Sequence, residues 1–175
     1  NHELNLLIDA KREGNGWFFG SPHEDDIQQF SSVAATAYDK IKILDFLVTL
    51  PVGLESDQLR IVHACWHSES IESLRSLAFT NLREAYEYFV AQTEQHLQNS
   101  GIAELAQKEQ LQYKMQLKDP HASVPLLHHL AQKDLLEQMH NPLKVITSGS
   151  ENFAEQPLYA GGKWRMIDRL AWWEC

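Results

Sequence analysis

The chain opens on Asn1-His2-Glu3, three adjacent side chains that each offer a polar group suited to a metal ion or a phosphate. An asparagine side-chain carbonyl is a hard, neutral oxygen ligand. It leaves positive charge on a metal that must polarise a phosphate. An imidazole beside it can hand a proton to a leaving alkoxide. Further along, Leu59-Arg60-Ile61-Val62-His63-Ala64-Cys65-Trp66-His67 carries a short β-branched run that ends in histidine. That is how a strand delivers an imidazole to the edge of a sheet, where open α/β folds place their ligands. Together the two segments suit a dinuclear metal site acting on phosphate esters. The competing reading makes Asn1 a helix N-cap, with Glu3 in the first turn.

In a strand over Leu59–Cys65, positions 61, 63 and 65 share one face. His63 then projects near the strand's C-terminal end, and His67 lies on the same side if the strand continues. His63 and His67 also stand at the i, i+4 spacing of helical zinc sites, but Ile61-Val62 argues against a helix here. The plainer reading of His63 is a satisfied core histidine. The strand is expected to be buried and central, because Ile61, Val62 and Cys65 put apolar groups on both faces. Arg165 and Arg169 fall on one face of a final strand, where a guanidinium fork suits phosphate. A solvated strand face is the simpler account of them. His128 and His129 point apart on a helix, His121 follows Pro120 in a loop, and Trp172-Trp173 is expected to cap the core.

The elements that position these residues follow from periodicity. Leu4, Leu6, Leu7 and Ile8 continue a helix begun at Asn1, and Gly14, Gly16 and Gly20 then break the pattern. Trp17-Phe18-Phe19, between glycines, reads as a docking loop. Ser21-Pro22 with acids at 24–26 reads as a helix start, and apolar spacing carries that helix to Thr49, before Pro51. Helices are expected from about Ser68, over 81–98, over 103–117 and over 124–139, with Gly101, Asp119-Pro120 and Asn141-Pro142 as punctuation. The tail is expected to be β: a short run over 143–147, a turn at Gly161-Gly162, and a strand over 163–173. One partial domain over 1–175 results, helical over about 21–140 and β-rich over about 143–173.

Composition narrows the function classes. The chain has 175 residues, of which 43% are hydrophobic, as in an ordinary globular domain. A net charge of −9 disfavours sequence-independent nucleic-acid binding, which needs a basic surface. It leaves room for a phosphorylated substrate, because bound metal ions supply local positive charge. The two cysteines, Cys65 and Cys175, form no disulfide framework, which favours a reducing, cytoplasmic setting. No stretch reaches the roughly 18 apolar residues of a membrane span. A start on Asn1 without Met is read as the start of a fragment.

Asn1-His2-Glu3 followed by Leu59-Arg60-Ile61-Val62-His63-Ala64-Cys65-Trp66 resembles the second half of a calcineurin-like metallophosphoesterase. These enzymes carry a Gly-Asn-His-Glu block and then a strand ending in Val-His. The branch most similar is that of bacterial phosphoesterases related to serine/threonine protein phosphatases and diadenosine tetraphosphatases. Some of these share His-Ala-Cys-Trp and a late segment like Gly161-Gly162-Lys163-Trp164-Arg165 with Arg169 and Trp172-Trp173. The likeness spans nearly the whole chain, but its specific motifs are few.

The resemblance implies an α/β fold: part of an αββα metallophosphoesterase sandwich with a helical insertion, incomplete at both ends. It implies Asn1 and His63 as ligands of one metal, His2 as general acid and Glu3 as support behind them; Arg165 stays a candidate phosphate contact from its place on the last strand alone. Two divalent ions, manganese, iron or zinc, would activate a water for in-line attack. The substrate would be a phosphoprotein, a dinucleoside polyphosphate or a small phosphoester, with no membrane and no sequence-specific nucleic acid as partner. The family's Asp-x-His, Gly-Asp-x-x-Asp-Arg-Gly and late Gly-His blocks are absent from the sequence. The fragment alone is therefore expected to bind metal weakly and to be inactive, and Asn1 and His63 are expected to converge. The alternative is a non-enzymatic helical interaction module, in which Asn1-His2-Glu3 is only a helix cap.

Overall fold

The computed structural model describes residues 2–12, 15–19 and 35–171. The chain divides into two compact units. One is Asn1–Val52 with Phe79–Tyr86; the other is Gly53–Ala78 with Glu87–Cys175.

In the first unit, α1 (His2–Leu7), α2 (Gly16–Phe19) and α3 (Ala37–Leu47) pack Leu6, Leu7, Phe18 and Leu47 into a small core. Trp17-Phe18-Phe19 is thus helix and core, not a docking loop: Phe18 is buried and meets both neighbouring rings edge-on. A helix unbroken over 21–49 is excluded at Thr36, whose backbone is extended at ψ 164°. Thr36 instead starts α3 through a capping box. Its hydroxyl accepts from Asp39 N, and the Asp39 carboxylate accepts from Thr36 N at 3.0 Å. Residues 20–34, which carry the expected start at Ser21-Pro22, lie outside the described residues.

The second unit begins with β1 (Gly53–Glu55) and β2 (Arg60–Val62), paired antiparallel with Leu54 opposite Ile61. Then comes α4 (Ser68–Ser76). Next, α5 (Leu82–Asn99) starts among residues of the first unit and continues into the second. Gly101, at φ +72°, turns the chain into α6 (Ile102–Gln112), and a 3₁₀ turn follows at Gln116–Lys118. The expected helix over 103–117 is therefore two pieces. α7 (His128–Met139) begins later than its apolar periodicity suggests, because Pro125 forces Val124 towards extended backbone. The strands β3 (Glu151–Ala160) and β4 (Lys163–Arg169) form a second antiparallel pair. Gly161 and Gly162 join them with φ of +59° and +76°, the two positive angles that a type I′ turn requires. The described fold is mixed α/β with two small antiparallel sheets. None of its described helices is long and apolar enough to cross a membrane.

Two expectations fail here. The segment 59–65 holds a strand of only three residues in a two-stranded hairpin, with Leu59 58% and Ile61 49% exposed. A β-branched run fits a pleat whether or not another layer covers it, so its apolar character did not make it central. The run 143–147 is helix, not strand: α8 spans Pro142–Ser148. Asn141 caps it, accepting from Leu143 N and Lys144 N, and Pro142 stands at the first helical position. Asn141-Pro142 therefore opens a helix as well as closing the one before. Leu143, Val145 and Ile146 are wholly buried while Lys144, Thr147 and Ser148 form a half-buried polar side, and seven residues are too few for that period to stand out from a strand's apolar run.

The main core of this unit joins Leu117, Val124, Leu127, Leu130, Ala131, Met166 and Ile167. α6 and α7 are tied by Glu109. Leu127, the N-cap residue of α7, makes no side-chain cap bond. Glu109 supplies the missing acceptor from the neighbouring helix, at 2.8 Å from Leu130 N and 2.8 Å from His129 Nδ1. Burial works to raise the Glu109 carboxyl, but these donors outweigh it and hold it below its ordinary value of 4.5. A depressed carboxylate gives stability that is complete above its unfolded pKa and is lost as pH falls through the folded one. Stability should therefore fall on acidification below about pH 4.5, and less steeply in Glu109→Gln. Urea titrations across that range check this, and parallel pH profiles would contradict it. Ile146→Ala should cost about 2–5 kcal/mol in the same assay, as for other buried large-to-small changes.

Candidate functional site

His2 is the first described residue, at the start of α1, with its ring exposed. Its partner is Asn15, which is 1% exposed. The Asn15 amide nitrogen donates to the His2 carbonyl at 3.1 Å, and Asn15 Oδ1 lies 2.8 Å from His2 Nδ1. The assignment is self-consistent. A backbone carbonyl only accepts, so the amide nitrogen must face it and the amide oxygen must face the ring. Nδ1 therefore carries the hydrogen of the neutral ring, and Nε2 holds the lone pair. Asn15 also stands at the head of α2, its carbonyl accepting from Phe18 N at 3.0 Å. The unit that buries Phe18 thus also fixes the imidazole. Sequence reasoning missed Asn15; its one signal was an asparagine flanked by Gly14 and Gly16 before an aromatic cluster. Glu3 is exposed in the first turn of α1, where its charge suits the helix dipole. Asn1 lies outside the described residues, so its expected approach to His63 does too.

His63 belongs to the second unit and follows β2 directly. It is exposed, not a core histidine. Its Nδ1 lies 2.7 Å from the carbonyl oxygen of Thr147, near the end of α8. Because the carbonyl only accepts, Nδ1–H is the donor, and Nε2 of the neutral ring holds the lone pair. That is the arrangement of a metal-binding histidine, whose other ring N–H is held by a carbonyl or carboxylate.

His67 has the opposite chemistry. It is the N-cap of α4, and its Nδ1 accepts from Ser70 N at 3.3 Å. In the neutral ring Nε2 must then carry the hydrogen, so His67 does not offer Nε2 to a metal while it caps the helix. Among the described residues, no three His, Cys, Asp or Glu side chains are grouped so as to hold a metal ion. Of the two implied ligands His63 is the one among the described residues, and its Nε2 lone pair is the donor a metal needs. Cys65, beside it, is buried and disulfide-bonded, so the cysteine argument for a reducing compartment does not hold for this residue.

Arg165 lies on β4 with its guanidinium on Glu151, at 3.0 and 3.2 Å from the two carboxylate oxygens. Arg169 shares that carboxylate at 3.0 Å. The two arginines do share a face, as alternation predicts, but the face is not simply solvated. It neutralises a carboxylate whose side chain is 2% exposed. Phosphate would have to compete with Glu151 for Arg165. His129 is on Glu109, His121 sits in an exposed loop, and Trp172-Trp173 lies outside the described residues.

The hydrogen bonds fix tautomers that nitrogen NMR reads directly. At a pH where the rings are neutral, His2 and His63 should show the Nδ1–H form and His67 the Nε2–H form. In Asn15→Ala, His2 should shift towards Nε2–H. Loss of two bonds around a buried group should also cost about 1–3 kcal/mol. An Nε2–H tautomer at His63 would contradict the bond to Thr147.

Compared with known proteins, the chain matches no family model, no curated protein and no solved structure.

Proposed function

We propose that this chain is part of a metal-dependent phosphoester hydrolase of the calcineurin-like kind. The observation that supports it is the His63 imidazole, held through Nδ1–H by the Thr147 carbonyl with its Nε2 lone pair left over. The motif resemblance carried by Asn1-His2-Glu3 and Val62-His63 points the same way. In this reading Asn1 and His63 hold one of two divalent ions, and the ligands absent from the sequence come from outside residues 1–175. The ions, manganese, iron or zinc, would polarise the phosphoryl group and lower the pKa of the attacking water.

His2 acts on the leaving oxygen. Its Nδ1–H stays on Asn15 in both protonation states, so the proton it donates is the one on Nε2. After transfer the ring is left as the Nδ1–H tautomer that Asn15 already accepts from. The ring therefore need not turn between cycles. Asn15 positions the acid, and Glu3 backs the turn that carries it. Arg165 would reach phosphate only by exchanging it for Glu151. The substrate class in this proposal is a phosphoprotein, a dinucleoside polyphosphate or a small phosphoester. The second reading, a non-enzymatic helical interaction module, draws on a lysine-lined groove in the second unit and is separated by the assay below.

In the enzyme that contains this chain, His2→Ala should slow alkyl phosphate hydrolysis by about 10²–10⁴-fold, the usual contribution of general acid catalysis. The loss should shrink on p-nitrophenyl phosphate, whose leaving group needs no proton, and metal content should hold. His63→Ala should lose metal and activity together. Equal slowing on both substrates, or metal loss in His2→Ala, would show that His2 is not the acid. Absence of metal-dependent hydrolysis altogether would favour the interaction module.

A further inference from the structure

A groove of about 480 Å³ runs between the end of α6, the 3₁₀ turn, α7 and β4, wholly within the second unit. Its apolar surface comes from Leu111, Leu117, Leu130 and Trp164. Leu117 and Leu130 belong to the core, whereas Leu111 is 63% exposed. Trp164 is fixed by its indole N–H, which donates to the Asp119 carbonyl at 2.8 Å, and by an edge-on contact with Tyr159.

The charge around this groove opposes that of the chain. Lys114, Lys118, Lys133 and Lys163 line it, four of the nine lysines in a sequence with 24 acids and a net charge of −9. Among the described residues its acids are Asp134 and Glu137. Both are answered internally by Lys133, which is 2.7 Å from Glu137 and 3.9 Å from Asp134. Four lysines against two acids leave the groove with a net charge of +2, and Lys114, Lys118 and Lys163 are its exposed cations.

We propose that this groove docks an acidic segment of a partner protein, an apolar side chain flanked by aspartates or glutamates. Charge complementarity is the argument for the occupant. A positive, apolar-floored groove on an acidic protein selects a negative, amphipathic partner and repels most others. Lysines are strongly hydrated point charges without the arginine fork that matches phosphate in a bidentate way. They therefore suit several spaced carboxylates better than one phosphate. A membrane surface is a poorer fit, because an anionic leaflet would repel the rest of the chain. Burial holds the Asp134 carboxyl above its ordinary value against the pull of Lys163 and Lys133. The proposal does not depend on the hydrolase reading and stands if no hydrolysis is found.

The test is a peptide-display selection against the whole protein, with anionic phosphatidylserine vesicles and a short oligonucleotide as separate probes. Enriched peptides should carry two or more acids around an apolar anchor and should bind more weakly as salt rises. The exposed charge reversals Lys114→Glu, Lys118→Glu and Lys163→Glu together should weaken them by at least about ten-fold, or 1.4 kcal/mol. Leu111→Asp, a change at an exposed position, should weaken them independently. Circular dichroism of each variant should match the parent. No enrichment, peptides without an acidic bias, or peptides that bind the triple variant equally would overturn the proposal. Lysine-dependent binding of the vesicles or the oligonucleotide with no peptide enriched would overturn it too.

Discussion

The last turn of a seven-residue helix governs the second unit. An α-helix leaves its final carbonyls without partners inside the helix, and a buried end must find them elsewhere. At the end of α8 the Ile146 carbonyl accepts from Ala64 N at 3.0 Å and Cys65 N at 3.4 Å. The Thr147 carbonyl accepts from the His63 ring at 2.7 Å. The segment 63–65 is thus the cap of α8, and the histidine is positioned because the helix needs donors. The helix is held from its other end as well. Asn141 caps it there, while Gln138 donates to the carbonyl of Lys144 and, at the C-terminal end, to that of Gly149. Gly149, at φ +97°, a backbone conformation that favours glycine, then releases the chain towards β3.

A second theme is how an acidic chain places its few cations. Glu151 is nearly inaccessible, and a buried carboxylate without partners would cost several kcal/mol. Two arginines from β4 answer it, and backbone pairing sets Glu151 opposite Arg169. Glu109 is answered differently, by backbone and imidazole donors at the head of α7. Both carboxylates link separate elements, so removing either would leave orphaned donors rather than merely remove a contact. The lysines of the groove do the opposite: four of them gather around two acids and leave a net positive charge at the surface.

The legible part of the sequence was its long-range periodicity and its punctuation. α5, Gly101 and the Gly161-Gly162 turn fall where sequence places them, because an amphipathic stripe over many turns and a pair of positive φ angles each leave a residue-type signature. Short elements did not read correctly. α8 is only seven residues long and buries Leu143, Val145 and Ile146, so its short apolar run looks the same as a buried strand. β2 has the composition of a central strand but sits in a two-stranded hairpin, because burial is decided by what packs on top and not by the run itself. At the site, His63 was legible as a histidine delivered by a strand. Asn15 was not, since its role depends on a fold-back from α2 to α1 that no local pattern encodes.

His63 and His67 show why spacing alone misleads. Two histidines four apart match a helical zinc pair, and an extended strand would put both on one side. Neither geometry applies: β2 ends at Val62, α4 begins at Ser68, and the rings serve different helices. One donates through Nδ1 to the carbonyl end of α8; the other accepts through Nδ1 from the amide end of α4. A helix's C-terminus asks an imidazole for a proton, and its N-terminus asks for a lone pair. The same residue type at the two ends therefore presents opposite chemistry at Nε2. Metal binding suits the histidine at the carbonyl end, and the four-residue spacing carries no information about it.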